Sequence, residues 1–175
     1  VVVSADIGSD NLHDMNVLKR VRTTFAGLNA PVVAVAGNHD LPKGPVARTT
    51  RMHKDIFGEP CVVREINGLA FITVFTEPLA NRTPLANYDP LKALESKLEE
   101  AAGKPVVIIH HRPSVLDFYR NTFHKGWPKE TRARWSQLVN RYNVKAVLAG
   151  HYHRDELHWL GDVPLYVCAP IADYW

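Results

Sequence analysis

Groups that can bind a metal ion or transfer a proton stand directly after four apolar, strand-like stretches of the sequence. They are Asp6, Gly37-Asn38-His39-Asp40, His110-His111 and Gly150-His151-Tyr152-His153. Asn38 offers a neutral oxygen to a hard metal, His39 can exchange a proton near neutral pH, and Asp40 supplies a carboxylate that could orient the imidazole. A single histidine is more often a core or surface residue, but the repeated placement after strands favours one shared site.

The donor types indicate which metals such a site would prefer. Imidazole nitrogens together with a carboxylate and an amide oxygen suit Mn, Fe or Zn better than Mg or Ca, and the absence of thiols nearby argues against a cysteine-type structural zinc site. His151 and His153 are two residues apart, which leaves two arrangements open. On an extended segment their side chains point to opposite sides, whereas in a tight turn both face one pocket.

The segments around the first two groups predict the scaffold that positions them. The apolar runs 1–5 and 31–36 predict strands, and apolar residues every three to four positions from Asn11 onward predict an amphipathic helix between them. Strand, helix and strand within about 35 residues predict a βαβ unit with parallel pairing. In open α/β sheets, ligands bind at the carboxyl ends of such strands, which is where Asp6 and Asn38 would lie.

The rest of the chain continues this α/β pattern. Asn67-Gly68 predicts a hairpin with a type I′ turn, because both residue types tolerate positive φ. Asp89-Pro90 predicts a capped helix start. The other predicted elements are a helix over 45–57, strands over 61–66 and 69–76, a polar loop over 77–88, a strand over 106–109, a helix around 135–142, a strand over 144–149, and a final strand pair over 156–160 and 165–169.

Composition sets the broad class. A chain of 175 residues with 46% hydrophobic residues predicts one globular domain, and a formal charge of +3 without a polybasic block permits an anionic substrate but does not indicate nucleic-acid binding. No apolar run reaches the roughly 18 residues of a membrane span. Cys61 and Cys168 stand in apolar runs and are predicted to be buried free thiols, so we expect a cytoplasmic protein.

The four groups resemble, in order and separation, the motifs of the calcineurin-like metallophosphoesterase family, and His110-His111-Arg112-Pro113 is similar to a motif of its cyclic-nucleotide-phosphodiesterase-like branch. The resemblance covers nearly the whole chain. It implies an α/β fold, a four-layer αββα sandwich with mixed sheets, forming a single domain over residues 1–175. The family's first motif, Asp-x-His, does not occur in this sequence. We therefore expect that the first strand and its motif are missing at the N-terminus.

The resemblance also implies a centre of two divalent metals, Mn, Fe or Zn. Asp6 would bridge both metals. Asn38, His110 and His151 would complete the second metal site. His153 would bind the first metal, whose site is incomplete in this chain. Asp10 is expected to cap the following helix rather than to bind metal.

His39 would then be the catalytic histidine that stabilises the transition state or protonates the leaving oxygen, with Asp40 as its orienting partner. The implied reaction is hydrolysis of a phosphate ester, in which a metal-activated hydroxide attacks phosphorus in line. Diesters are slightly favoured over monoesters, and nucleotide-like small molecules are among the candidate substrates.

Several assignments stay open after the third strand. His110 is the expected ligand as the first histidine after the strand, with His111 as the alternative. Arg112 is a candidate for bidentate contact with a substrate phosphate, or a plain surface residue. The aromatic and basic segment 118–129 is either a lid that stacks a base or a loop that packs its own aromatic rings onto the core. The histidines that match no motif are expected in the surface or core: His13, His53, His124 and His158.

Three functions remain in competition. A metal-dependent phosphoric ester hydrolase is the leading hypothesis. A non-catalytic scaffold of the same fold is favoured by the missing Asp-x-His, and a mononuclear hydrolase would use the second metal site alone. Retention of the asparagine and the histidines together argues for chemistry.

Overall fold

The computed structural model of the chain describes residues 1–4, 6–7, 15–41 and 44–171. Its elements are β1 (Val2–Val3), α1 (Met15–Ala26), β2 (Val33–Ala34), α2 (Val46–Phe57), β3 (Cys61–Ile66), β4 (Leu69–Val74), a 3₁₀ turn (Glu77–Ala80), α3 (Pro90–Glu100), β5 (Val106–Ile109), α4 (Lys129–Arg141), β6 (Val144–Ala149), β7 (Glu156–Leu160) and β8 (Val163–Val167). The predicted helix start at Asn11, the cap at Asp10 and His13 lie outside the described residues.

The described strands form two sheets. β1 and β2 pair in parallel, which confirms the predicted βαβ unit. The second sheet has six strands in the order β3-β4-β5-β6-β8-β7. Its four central strands are mutually parallel, whereas β3 and β7 are antiparallel to their neighbours at the two edges. The carboxyl ends of the parallel strands therefore lie along one edge, where the candidate residues follow them.

Alternating side chains give the six-stranded sheet a core on each face. Ile72 and Ile108 are fully buried in the core cluster that contains Leu94 of α3. Ile109, next along β5, instead packs with Val33 of β2. Burying each such aliphatic side chain contributes roughly 1.5–3 kcal/mol. Helices, the six-stranded sheet and the two-stranded sheet thus lie in successive layers, and the mixed α/β class is confirmed.

Two local signals in the sequence act as predicted. The side chain of Asp89 accepts hydrogen bonds from the backbone N–H groups of Leu91 (2.9 Å) and Lys92 (3.3 Å), so it caps α3. Asn67 and Gly68 have φ angles of 51° and 81°, which suits the predicted hairpin turn between β3 and β4.

Other boundaries differ from the prediction. β1 and β2 contain two residues each. Single hydrogen bonds flank this pairing, from the Val1 ammonium group to the Pro31 carbonyl (2.7 Å), from Val33 N–H to the Val1 carbonyl (2.9 Å) and from Val35 N–H to the Val3 carbonyl (3.1 Å). β1 cannot continue beyond this point because Asp6 has a φ of 51°, outside the β region. β8 ends at Val167 rather than at residue 169.

The two cysteines have different environments. Both are free thiols, and Cys61 is buried as predicted. The prediction that Cys168 is buried is wrong, because it follows the end of β8 and is exposed. None of the helices in the described ranges is long and apolar enough to cross a membrane.

Candidate metal centre

Residues from three strand ends meet at the carboxyl edge of the sheets. Asp6 follows β1, Asn38 follows β2 and His111 follows β5. His111 Nε2 lies 3.1 Å from Asp6 Oδ2 and 2.9 Å from Asn38 Oδ1. The structure therefore brings together two residues that the sequence predicts as ligands, and adds His111 to them.

The three converging atoms form a donor set that fits a transition metal. His111 Nδ1 lies 2.8 Å from the Ser4 carbonyl, which only accepts, so Nδ1 carries the proton. In the neutral ring, the Nε2 lone pair then faces the oxygens of Asp6 and Asn38. These three acceptor atoms repel one another, and a cation between them would remove the repulsion. Separations near 3 Å are those of neighbouring ligands at about 2.1 Å from one metal. No three His, Cys, Asp or Glu side chains of the described residues form such a group alone, and the Asn38 amide oxygen is the further donor atom beside His111.

The electrostatics of this pair also favour positive charge. Burial raises the pKa of Asp6, but the hydrogen bond and charge interaction with His111, together with the contacts with His39, outweigh burial, and the net pKa lies below the ordinary value. Burial lowers the pKa of His111, but the Asp6 carboxylate outweighs burial and the net pKa is raised. The Asp6 carboxylate thus stabilises a positive charge between itself and His111, which is either the proton on His111 or a bound cation.

The expectation that His110 is a ligand does not match its position. Its ring is fully buried and packs against Trp127 and Trp135, with ring centroids 5.5 and 5.0 Å away. Its Nδ1 bonds to the Arg112 carbonyl (3.0 Å), and burial lowers its pKa to about 3. Consecutive residues at the end of β5 face opposite sides, so only one of the two histidines can face the metal centre, and it is His111.

Arg112 is not available to a substrate phosphate in the way the sequence suggested. Its side chain is 2% exposed and pairs with the fully buried Glu77, with Nη2 2.9 Å from Oε2. Nη1 donates to the Lys125 carbonyl and lies 2.7 Å from His151 Nε2. Arg112 therefore links the interior to His151, and it is not a surface residue either.

His151 and His153 take the turn arrangement rather than the extended one. Their φ angles are 73° and 55°, in the left-handed region that non-glycine residues rarely adopt. Tyr152 between them is buried, and its hydroxyl donates to the Val115 carbonyl (2.6 Å). The His151 ring lies 5.0 Å from that of His111. Asp6 shares this strained φ, and strain of this kind clusters at functional sites.

Gly150 allows β1 to approach this turn closely. A Cβ at residue 150 would lie 3.0 Å from Ser4 Oγ and 3.1 Å from the Ser4 carbonyl oxygen. The same Ser4 carbonyl accepts the hydrogen bond from His111. A side chain at this position would therefore disturb the contact that fixes the orientation of the His111 ring.

The Asn-His-Asp loop is tied to the centre through its backbone. The N–H of His39 donates to Asp6 Oδ1 (2.9 Å), and the N–H of Gly37 donates to Asp40 Oδ2 (2.8 Å). Asp40 is fully buried, whereas the His39 side chain is exposed. His39 is thus held beside Asp6 with its imidazole accessible to a ligand.

His124 joins the site although no motif marks it. Its ring centroid lies 5.3 Å from that of His151 and 5.5 Å from that of His153. Its Nδ1 lies 3.3 Å from Asp117 Oδ2. The only sequence signal was its place in the aromatic and basic segment, because a loop without periodicity gives no indication of which residue points inward.

Segment 118–129 has features of both predicted arrangements, the loop packed on the core and the exposed lid. Trp127 is buried in the core, as a loop packing its own aromatic rings requires. Phe118 and Phe123 are 74% and 71% exposed, and the guanidinium of Arg154 lies 4.3 Å from the ring centroid of Tyr119. Part of the segment therefore presents aromatic rings to the solvent next to the candidate centre.

The two remaining described histidines match the expectation for residues outside any motif. His53 is buried, lies edge-on to Phe75 with ring centroids 4.8 Å apart, and has Nδ1 3.2 Å from the Gly58 carbonyl. His158 on β7 pairs with Glu156, with Nε2 2.7 Å from Oε2.

Comparison with known proteins finds relatives that are named phosphatases and phosphodiesterases. The mouse serine/threonine-protein phosphatase CPPED1 is 27% identical over 71% of this chain and 42% of its own length. A probable cyclic nucleotide phosphodiesterase of Synechococcus is 24% identical over 88% of this chain and 57% of its own length. The chain thus spans only about half the length of these curated relatives. The structure of a purple acid phosphatase from yellow lupin covers 99% of this chain with a TM-score of 0.67 at 12% identity, and this chain covers 38% of that protein.

The match to a protein family covers most of the chain. Residues 6–155 match the profile of calcineurin-like phosphoesterases, a range that starts at Asp6 and ends beyond the Gly-His-x-His turn. The chain therefore belongs to the calcineurin-like phosphoesterase family.

Proposed function

We propose that this chain is a metal-dependent phosphoric ester hydrolase. The convergence of Asp6, Asn38 and His111 within 3.1 Å carries the proposal, because these atoms form a ready metal-binding set. The names of the two curated relatives, a phosphatase and a phosphodiesterase, support the reaction class. Family membership implies divalent metal cofactors, and the donor types favour Mn, Fe or Zn.

The proposed ligand set has two supports: the contacts of His111 with Asp6 and Asn38 support these three residues, and the family resemblance supports His151 and His153. Asn38, His111 and His151 would hold one metal, with Asp6 shared between two. His153 would serve the other position, for which we propose no further ligand among the described residues. Metals bound there lower the pKa of water and offset the negative charge of a phosphoryl group.

The exposed His39 is proposed to act on the substrate itself. Its backbone is fixed to Asp6, so its imidazole stays next to the place where the phosphoryl group would bind. We assign to it the proton that the leaving oxygen takes up, or a hydrogen bond to the phosphoryl oxygens in the transition state. Asp40, buried in the same loop, is proposed to orient this ring.

The substrate is proposed to be a small phosphate ester, with nucleotide-like diesters favoured. The exposed rings of Phe118 and Tyr119, with Arg154 beside them, offer planar surfaces on which a base could stack. The phosphodiesterase named among the curated relatives supports a diester.

The test combines metal content with hydrolysis. The chain would be loaded with manganese, passed through gel filtration, and assayed for bound metal and for turnover of p-nitrophenyl phosphate and bis(p-nitrophenyl) phosphate. We expect bound manganese, and we expect His39→Ala to abolish turnover while leaving the manganese in place. His158→Ala is the matched control, since it removes a histidine outside the centre.

The outcomes separate the competing functions. Near two metals per chain with turnover supports the proposal, and near one metal with turnover favours the mononuclear hydrolase. A chain that binds no metal would move the assignment to a non-catalytic scaffold. Full activity of the His39→Ala variant would refute the role of His39.

A further inference from the structure

We propose that His124, held in place by Asp117, binds the phosphate group of the substrate. The inference rests on the proposed function, because it assigns a further ligand-binding residue to the same site. It stands on the position of the side chain, which no sequence motif indicates.

Asp117 is held in place by hydrogen bonds other than its contact with His124. Its side chain is 1% exposed, Oδ1 accepts from the backbone N–H of Asn121 (2.5 Å), and its own N–H donates back to Asn121 Oδ1 (2.9 Å). The hydroxyl of Tyr152, in the turn between His151 and His153, lies 3.3 Å from the same Asn121 oxygen. The carboxylate is thus anchored both within its own segment and to the metal-binding turn.

This anchoring defines what His124 presents to the site. Its Nδ1 is occupied by Asp117 Oδ2, which leaves Nε2, on the opposite side of the ring, as the atom able to bind a ligand. The Asp117 contact turns Nε2 of His124 away from the carboxylate, and a ring nitrogen can form a hydrogen bond with an oxygen of a phosphate group. Nε2 is therefore the atom that we assign to the phosphate group.

Position and accessibility agree with this assignment. The ring lies within 5.5 Å, between centroids, of both His151 and His153. The side chain is nevertheless 26% exposed, whereas that of His111 is 3% exposed. His124 thus stands at the solvent side of the centre, where an incoming phosphate would contact it, and the exposed Phe118 and Phe123 belong to the same segment.

The experiment measures binding of inorganic phosphate to the manganese-loaded chain by isothermal titration calorimetry, with metal content measured in parallel. For His124→Ala we expect about tenfold weaker phosphate binding, the effect of losing one hydrogen bond to the charged phosphate, with manganese content unchanged. His124→Gln keeps an N–H donor, and we expect it to restore part of the affinity. His158→Ala removes another carboxylate-paired histidine and should bind phosphate as the unmodified chain does.

Each other result has one meaning. Unchanged phosphate affinity in His124→Ala would overturn the inference while leaving the proposed function intact. Loss of manganese in that variant would overturn it in favour of His124 as a metal ligand. If the unmodified chain binds neither manganese nor phosphate, the proposed function fails, and this inference fails with it.

Discussion

Replacing Glu77 by glutamine leaves the Arg112 guanidinium buried without its counter-charge. Both side chains are within 2% of complete burial, and Arg112 donates to Glu77 through Nε at 3.2 Å and Nη2 at 2.9 Å. Opposite unit charges about 4 Å apart attract by about 4 kcal/mol at an effective dielectric constant near 20. A glutamine oxygen would retain one hydrogen bond of about 1 kcal/mol. We therefore expect Glu77→Gln to lower the free energy of unfolding by about 3 kcal/mol, in line with broken buried pairs elsewhere.

Urea denaturation followed by circular dichroism measures this loss. EDTA should be present, so that altered metal binding through His151 does not contribute. A loss of this size corresponds to a melting temperature lower by roughly 6–12 °C for a chain of this length. The matched control is Glu65→Gln, which removes the partner of Lys104 from a pair that is about half exposed, and which should cost under about 1 kcal/mol.

A double variant tests the physical reason for the loss. Glu77→Gln combined with Arg112→Met removes the unpaired charge as well as the carboxylate, so we expect it to be more stable than Glu77→Gln alone. The reasoning would be refuted by a Glu77→Gln variant as stable as Glu65→Gln, or by a double variant less stable than the single one.

Two further predictions concern Gly150 and His53. Gly150→Ala should destabilise the chain by about 1–3 kcal/mol and weaken manganese binding, because its Cβ would lie 3.0 Å from Ser4 Oγ. The control is Gly44→Ala, whose Cβ would meet nothing within 4 Å. Equal urea midpoints for the two variants would contradict the close approach of Ser4 to Gly150. Burial lowers the pKa of His53 to about 4, so the unfolded chain takes up a proton first and stability falls as the pH drops from about 6.5 toward 4. Between pH 7.5 and 5 the unmodified chain should lose about 2 kcal/mol more than His53→Gln in urea titrations, and parallel pH profiles for the two proteins would show that His53 does not titrate this way.

The sequence was sufficient for features set by local chemistry. The Asp89 cap and the Asn67-Gly68 turn depend on residues within a few positions of each other, and both form as predicted. The parallel strands were predictable because continuous apolar runs indicate strands buried on both faces, and because helices separate them along the chain. The convergence of Asp6 and Asn38 follows from parallel pairing, since parallel strands end at the same edge.

What the sequence could not determine depends on which side of the chain a residue faces after its strand ends. His110 and His111 differ by one position, and only the pairing of β5 in the sheet decides that His110 turns to Trp135 and His111 to Asp6. The partner of Arg112 is Glu77, 35 positions away in sequence, and no spacing rule connects them. His124 reaches the centre through an irregular segment, where periodicity carries no information.

The Asn67-Gly68 turn offers a practical site for insertion. It precedes β4, which runs parallel to β5 and β6, and His111 and His151 follow the opposite ends of those two strands, so the turn and the candidate metal centre lie at opposite edges of the sheet. Four to six strand residues at about 3.3 Å each separate the two edges by roughly 13–20 Å. Both turn residues are exposed. A fluorescent label or an affinity peptide placed between them would therefore report on, or immobilise, the protein while leaving the approach to the metal centre open.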